Sequence, residues 1–299
     1  MKHLIAGGSG FVGRHVVERL CGSGDAVLNV DIRPPAAAVP GETVVTADLT
    51  TSTGVAAAAE AGAGAGAIVW LAAAIRHVTA VDSSAALDLA LMVEAPVRLL
   101  NALPSPPQAF VAMSSVQVYG RPVSLPVDED HPTEPFNAYG VAKLCAEHVL
   151  RIACAARGTA FTALRAAFIY GPGQHAANVI PRFLERVRRG EPPILNGPGR
   201  DVRDDIYVGD VARAVDLALR IRPRGAFNVA SGRPHTLREV AEAACRLGPR
   251  RLAPQHDERP SGWIDRWYAI DRARSGFGFE AETAFADGLR AQWDALGRG

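Results

Sequence analysis

Leu4-Ile-Ala-Gly7-Gly-Ser-Gly10-Phe-Val-Gly13 places three glycines between an apolar run and a helical pattern. Few folds accept that arrangement. Gly7 permits a tight turn, Gly10 lets a pyrophosphate approach the backbone, and Gly13 lets the helix lie close on the strand. The start of the helix, Phe11 and Val12 with Gly13, then offers free N–H groups and the positive end of the helix dipole to an anion.

The alternation continues along the first half. Residues 3–7, Ala26–Asp31, Val44–Ala47, Ala67–Leu71 and Ala109–Met113 read as buried strands, and 160–168 as another. Residues 11–22, 51–65 and 83–103 read as the helices between them. Strands alternating with helices imply right-handed crossovers and an α/β fold, a doubly wound parallel sheet of the Rossmann type. Pro122, Pro126, Pro132 and Pro135 make 120–137 a loop, and a helix follows it. Beyond residue 171 the elements shorten and Pro and Arg become frequent. We read 1–171 as a dinucleotide-binding domain to which 204–230 returns, and 172–203 with 231–299 as a smaller α+β substrate-binding region.

Composition excludes several classes of partner. The 299 residues carry a formal net charge of +1, which gives no reason to expect nucleic acid or an anionic membrane. No apolar run approaches the ~20 residues of a membrane span. The first residues are too short for a secretory apolar region and run straight into the glycine turn. Cys21, Cys145, Cys154 and Cys245 are scattered without metal-ligand spacing. They read as reduced thiols of a cytoplasmic protein that holds no metal.

Of 32 Lys and Arg residues only Lys2 and Lys143 are lysines. Lys143 follows Tyr139 by four residues, so the two share one helix face. A compact ammonium there can hold a phenol near ionisation, where a broad guanidinium would not serve. Asp31 ends the second strand, where an acid can bond a ribose diol, and it disfavours a 2′-phosphate. NAD is therefore favoured over NADP, although Arg33 keeps NADP open. Asp48-Leu49 can hold the adenine edge, or Asp48 can instead cap a helix. The small residues of Leu71-Ala72-Ala73 allow a nicotinamide half to lie against backbone. Ser115 follows the fifth strand, at the carboxyl end where ligands of such sheets sit.

The glycine turn, the Ser114-Ser115-Val-Gln117 segment and Tyr139-x-x-x-Lys143 together resemble the extended short-chain dehydrogenase/reductase family, closest to its nucleotide-sugar epimerase and dehydratase branch. The resemblance continues in Tyr170-Gly-Pro-Gly173, Asn178-Val-Ile-Pro181, Arg203-Asp-Asp-Ile-Tyr-Val-Gly-Asp210 and Asp271-Arg-Ala-Arg-Ser. It implies that Tyr139 is the acid/base for a sugar hydroxyl, that Lys143 lowers its pKa and holds the nicotinamide ribose, and that Ser115 bonds the reacting oxygen. It further implies that Asn178 touches a nucleotide diphosphate and that Arg203 and Arg259 clamp its phosphates, with Gln117 near the sugar. Dehydratases of the branch carry Asp-Glu where this chain has Val116-Gln117, and neither Val nor Gln is a useful general acid. The pattern points to a UDP- or dTDP-sugar 4-epimerase; the alternatives are a nucleotide-sugar 4-ketoreductase and a dinucleotide-sensing binding protein without turnover. A homodimer through helix 83–103 and the Tyr139 helix is also implied. Three departures stand out: Met92 and Phe168 replace asparagines common in the family, and Ala166-Ala167 replaces bulkier residues. Arg76-His77 are further candidates for the sugar pocket.

Overall fold

The computed structural model describes residues 1–73, 85–258 and 264–297. Arg76, His77 and Arg259 lie outside the described residues. Five strands build the first half: β1 (Lys2–Ala6), β2 (Ala26–Asp31), β3 (Glu42–Thr46), β4 (Ala67–Trp70) and β5 (Ala109–Ser115). β6 (Ala160–Ala166) and β11 (Gly225–Val229) complete a seven-stranded sheet of order β11-β6-β5-β4-β1-β2-β3. Every pairing in it is parallel. The chain runs from β1 out to β3 and then returns to β4 on the other side of β1, so strand order reverses between β1 and β4. Ligands of open α/β sheets bind outside the carboxyl ends at such a reversal.

The sheet is buried on both faces because its side chains alternate between two apolar clusters. Ile5, Val69 and Val111 face one layer, with Val16, Val17 and Leu20 of α1 (Phe11–Gly22) and Val211 and Val215 of α7 (Val208–Ile221). Leu4, Ile68 and Phe110 face the other, with Val55 of α2 (Ser52–Ala61), Leu99 of α4 (Ala95–Ala102) and Leu150 of α5 (Ala138–Ala156). A third cluster gathers Leu184 of α6 (Val179–Arg188), Val240 of α8 (Leu237–Leu247) and Leu289 of α10 (Phe285–Leu296) around Tyr170. Short strands frame that part: β7 (Phe168–Tyr170), β8 (Ile194–Asn196), β9 (Val202–Arg203), β10 (Asp205–Tyr207), β12 (His235–Thr236) and β13 (Gln255–Asp257). Helix α9 (Asp271–Phe277) packs beside β11.

Two elements differ from their sequence expectation. The run 160–168 divides after Ala166, because Phe168–Tyr170 leaves the main sheet to pair with β10. The helix expected over 83–103 comprises α3 (Ala85–Leu89), a π-helical turn over Ala90–Glu94, and α4. Pro96 has no N–H to offer a regular α-helical bond, which accounts for the disturbed turn before it. Among the described residues no helix is long and apolar enough to cross a membrane.

Candidate active site

The glycine turn closes against the end of β4. A Cβ at Gly7, whose φ is +86°, would lie 2.7 Å from the Ala72 nitrogen. One at Gly13 would lie 2.1 Å from the Gly7 carbonyl oxygen. The protein's own packing thus demands both glycines. Gly10 differs: a Cβ there would meet only the Gly7 oxygen, at 3.4 Å. The exposed Gly10 is the N-cap of α1 and offers no side chain to cap it. A glycine that the protein does not itself require, at a bare helix start, fits a phosphate lying on the backbone. Leu71, Ala72 and Ala73 are half-buried beside this turn, and the Leu71 N–H bonds the Ala6 carbonyl at 2.9 Å.

The next residues outward are held by short polar links. The Asp31 carboxylate accepts from the Ser9 N–H at 3.0 Å and from the Arg33 N–H at 3.2 Å. Asp31 is half-buried and Arg33 exposed. Below the turn, Asn29 donates to Ser9 Oγ at 3.1 Å and to Glu42 at 2.8 Å. Asp48 Oδ1 accepts from the Thr50 N–H and hydroxyl at 2.9 and 2.7 Å, and these bonds hold its carboxyl below the usual range. The α2 cap is Thr51, which accepts from the Gly54 N–H, so Asp48 shapes the turn rather than capping the helix. Leu49 is buried in the core by its side chain.

Two strands away, β5 delivers Ser115 and α5 delivers Tyr139 and Lys143. Asn137 starts α5: its side chain accepts from the Gly140 N–H at 2.8 Å and donates to Gln117 Oε1 at 2.8 Å. The same cap that nucleates the helix therefore ties Tyr139 to the segment after Ser115. Lys143 is 4% exposed, and its Nζ donates to the Met113 carbonyl at 2.6 Å. Burial lowers the ammonium to about 8, while Asp88 and Glu147 pull it back up. The half-buried Tyr139 phenol is pushed up to about 12 by desolvation, a hydrogen bond with Ser115 opposes that shift, and Asp88 adds to it. The ammonium lies 5.5 Å from the Tyr139 ring centroid. Burial outweighs it here, because its hydrogen bond goes to the backbone of β5 rather than to the phenol. Gln117 donates its N–H to Ser115 Oγ at 3.2 Å.

A buried polar network locks α5 onto the sheet behind these residues. Glu147, one turn after Lys143, accepts from Arg165 Nη2 at 2.7 Å and Nε at 3.0 Å, and also from Ser114 Oγ. Arg165 Nη1 donates to the Tyr119 hydroxyl at 3.0 Å, which donates to Asn228 Oδ1 at 2.7 Å. The two charges of this network, Glu147 and Arg165, are paired with each other, as a buried ion pair requires.

Tyr170-Gly-Pro-Gly173 brings the chain back to the start of α1. The Pro172 carbonyl bonds His15 Nε2 at 2.9 Å, and a Cβ at Gly173 would lie 3.6 Å from the Phe11 ring. Asn178 starts α6 and donates to the His175 carbonyl at 3.2 Å. Arg203 is buried, with Asp205 against its guanidinium. Three residues were missed by the sequence reading. Asn137 was legible as an N-cap before Ala-Tyr139. Asp88, an acid flanked by Leu87 and Leu89 in a mostly apolar helix, was a visible anomaly. The pairing of Asp205 with Arg203 left no mark in the sequence.

A doubly wound sheet with a glycine turn at its strand reversal and a Ser–Tyr–Lys group two strands away defines a dinucleotide-dependent enzyme of the short-chain dehydrogenase/reductase type. The chain belongs to the NAD dependent epimerase/dehydratase family, whose model matches residues 3–230. It is similar to a UDP-glucose 4-epimerase of Mycolicibacterium smegmatis, with 28% identity over 97% of this chain and 96% of that one. It is also similar to a dTDP-glucose 4,6-dehydratase of Streptomyces niveus, with 30% identity over 62% of this chain and 60% of that one. The solved structure of MoeE5 in complex with UDP-glucose and NAD superposes with a TM-score of 0.85 at 29% identity, covering 100% of this chain and 99% of that one.

Proposed function

We propose that this chain is an NAD-dependent nucleotide-sugar epimerase acting at carbon 4 of a UDP- or dTDP-sugar through a 4-keto intermediate. The observation that carries the reading is the meeting of Ser115, Tyr139 and Lys143 at the carboxyl end of β5, two strands from the glycine turn. NAD, when bound, supplies the acceptor and donor of a hydride at the sugar carbon. Gly7, Gly10 and the start of α1 would hold its pyrophosphate, Asp31 its adenosine ribose, and Leu71–Ala73 its nicotinamide half. Tyr139 takes the proton of the sugar hydroxyl, because a carbinol gives up hydride readily only as its O–H proton leaves. The protonated phenol then returns a proton to the 4-keto oxygen in the second half of the cycle. Ser115 shares that proton, and the Lys143 charge favours the phenolate.

The surroundings of Ser115 argue against dehydration. Val116 is buried, and the Gln117 carboxamide is held by Asn137. Neither can protonate a leaving hydroxyl. Asn178, Arg203 and Arg259 would receive the nucleotide diphosphate, and Gln117 the sugar. A homodimer is part of the proposal: α3 exposes Leu89, and α5 exposes Val141 and Ile152.

Incubation with UDP-, dTDP- and GDP-sugars, with and without added NAD(P)H, followed by product NMR, tests the reading. The expected result is a 4-epimer formed without added reductant. A 4-keto nucleotide sugar reduced only with added NADPH, its hydride appearing at carbon 4, with no 4-epimer formed in its absence, would make the enzyme a 4-ketoreductase instead.

A further inference from the structure

The strands around Arg203 bring together a group that the catalytic chemistry does not use. β9 pairs antiparallel with β12, which sets His235 opposite Arg203. β7 pairs parallel with β10, which sets Phe168 opposite Asp205. The Arg203 guanidinium carbon stands 4.9 Å from the centroid of the Phe168 ring. Its Nη2 donates to Asp205 Oδ1 at 2.7 Å, and its Nε lies 2.7 Å from Asp205 Oδ2. Arg203 is 8% exposed and Asp205 3%. Burial raises the Asp205 carboxyl, while Arg203 and His235 draw it back down.

A buried ion pair is a weak source of stability, since desolvation consumes most of the Coulomb gain. A carboxylate hydrogen-bonded to Nη2 and in ion-pair contact with Nε, with an aromatic ring across the face, does something more specific: it removes the freedom of the guanidinium. That group has five N–H donors in one plane, and the Nη2 bond together with the ring contact fixes where the others point. Phe168 thereby acquires a role. The asparagine it replaces would offer one polar contact; the ring offers a floor that sets the plane of the cation. Phe168 and Asp205 are cross-strand neighbours, so the two constraints come from one β-pair.

We propose that Asp205 is a positioning residue: with Phe168 beneath, it holds the Arg203 guanidinium in the one orientation that receives phosphate oxygens of the nucleotide substrate, and so sets the affinity of this chain for its nucleotide. The proposal rests on the reading that Arg203 binds the diphosphate. It predicts that geometry outweighs charge, because the Arg203–Asp205 pair carries no net charge and attracts an anion weakly at a distance. Neutralising Asp205 makes the pocket more positive, yet binding weakens.

The test measures nucleotide binding by calorimetry, using whichever of UDP and dTDP the wild-type chain binds more tightly, together with KM and kcat for the matching sugar. Asp205→Asn is expected to raise Kd and KM about tenfold while kcat stays within about threefold, the size of effect the loss of one charge-assisted orienting bond gives. Arg203→Lys, which keeps the charge and loses the plane, is expected to weaken binding as much as Arg203→Ala. Where Asp205→Asn does not fold, Phe168→Leu takes its place, with an expected rise of about three- to tenfold in Kd. Unchanged or tighter nucleotide binding in Asp205→Asn, with Arg203→Ala weakened, overturns the positioning role alone. Unchanged binding in Arg203→Ala overturns the diphosphate reading and the positioning role together.

Discussion

Lys143 sits in a buried setting that lowers its ammonium to about 8, four residues from a phenol pushed up to about 12. The two shifts have opposite consequences with pH. As pH rises through about 8 the native chain loses the Lys143 proton that the unfolded chain keeps to about 10.5, so this group makes the native state more stable with rising pH across that window. Tyr139 works the other way above about pH 10, where the unfolded phenol ionises first. Replacing Lys143 by Met is expected to remove a rise in unfolding free energy on the order of 3 kcal/mol between pH 8 and 10.5, read by urea titration at several pH values. Tyr139→Phe is expected to cut kcat by about 10²–10⁴-fold, with NAD affinity by calorimetry changed little. The Tyr139–Lys143 face and the roles of Gly7 and Gly13 were legible from spacing alone, because helix and turn geometry fix which residues meet. The destination of the Lys143 hydrogen bond was not. It depends on how deeply α5 sinks onto β5, and only the packed structure gives that.

At the scale of elements, the N-terminus of α5 does two jobs. Asn137 caps the helix and grips Gln117, so it joins a folding signal to the segment after Ser115, where the proposed sugar would lie. Asn137→Ala is expected to cost about 1 kcal/mol of stability, read as a fall in unfolding midpoint. Because Gln117 loses its anchor in the same change, KM for the sugar nucleotide is expected to rise as well. The strand β6 shows what local pattern cannot convey. Residues 166–170 are apolar without a break, yet the chain changes sheets after Ala166, since the Phe168 N–H bonds the Asp204 carbonyl at 3.2 Å. That step depends on a partner 36 residues further along the chain. It is what places Phe168 against Arg203.

For the molecule as a whole, the alternation of strands and helices predicted the doubly wound sheet, and the seven parallel strands follow it. The exposed apolar side chains of α3 and α5 belong to this scale. Leu89 is 43% exposed, Val141 49% and Ile152 61%. The proposed second copy would cover that face. Val141→Asp with Ile152→Asp is expected to turn a sedimenting dimer into a monomer, with an unfolding midpoint that becomes independent of protein concentration. A wild-type chain that sediments as a monomer at tens of micromolar contradicts the dimer.

The central claim is that one bound cofactor removes and returns the same hydride at carbon 4 of a nucleotide sugar. The direct measurement is incubation of the purified chain, with no reductant added, with UDP-glucose and dTDP-glucose each deuterated at carbon 4, followed by NMR of the products. The account predicts a 4-epimer that keeps its deuterium at carbon 4. No 4-epimer, or one in which carbon 4 has exchanged its label for a proton, contradicts it.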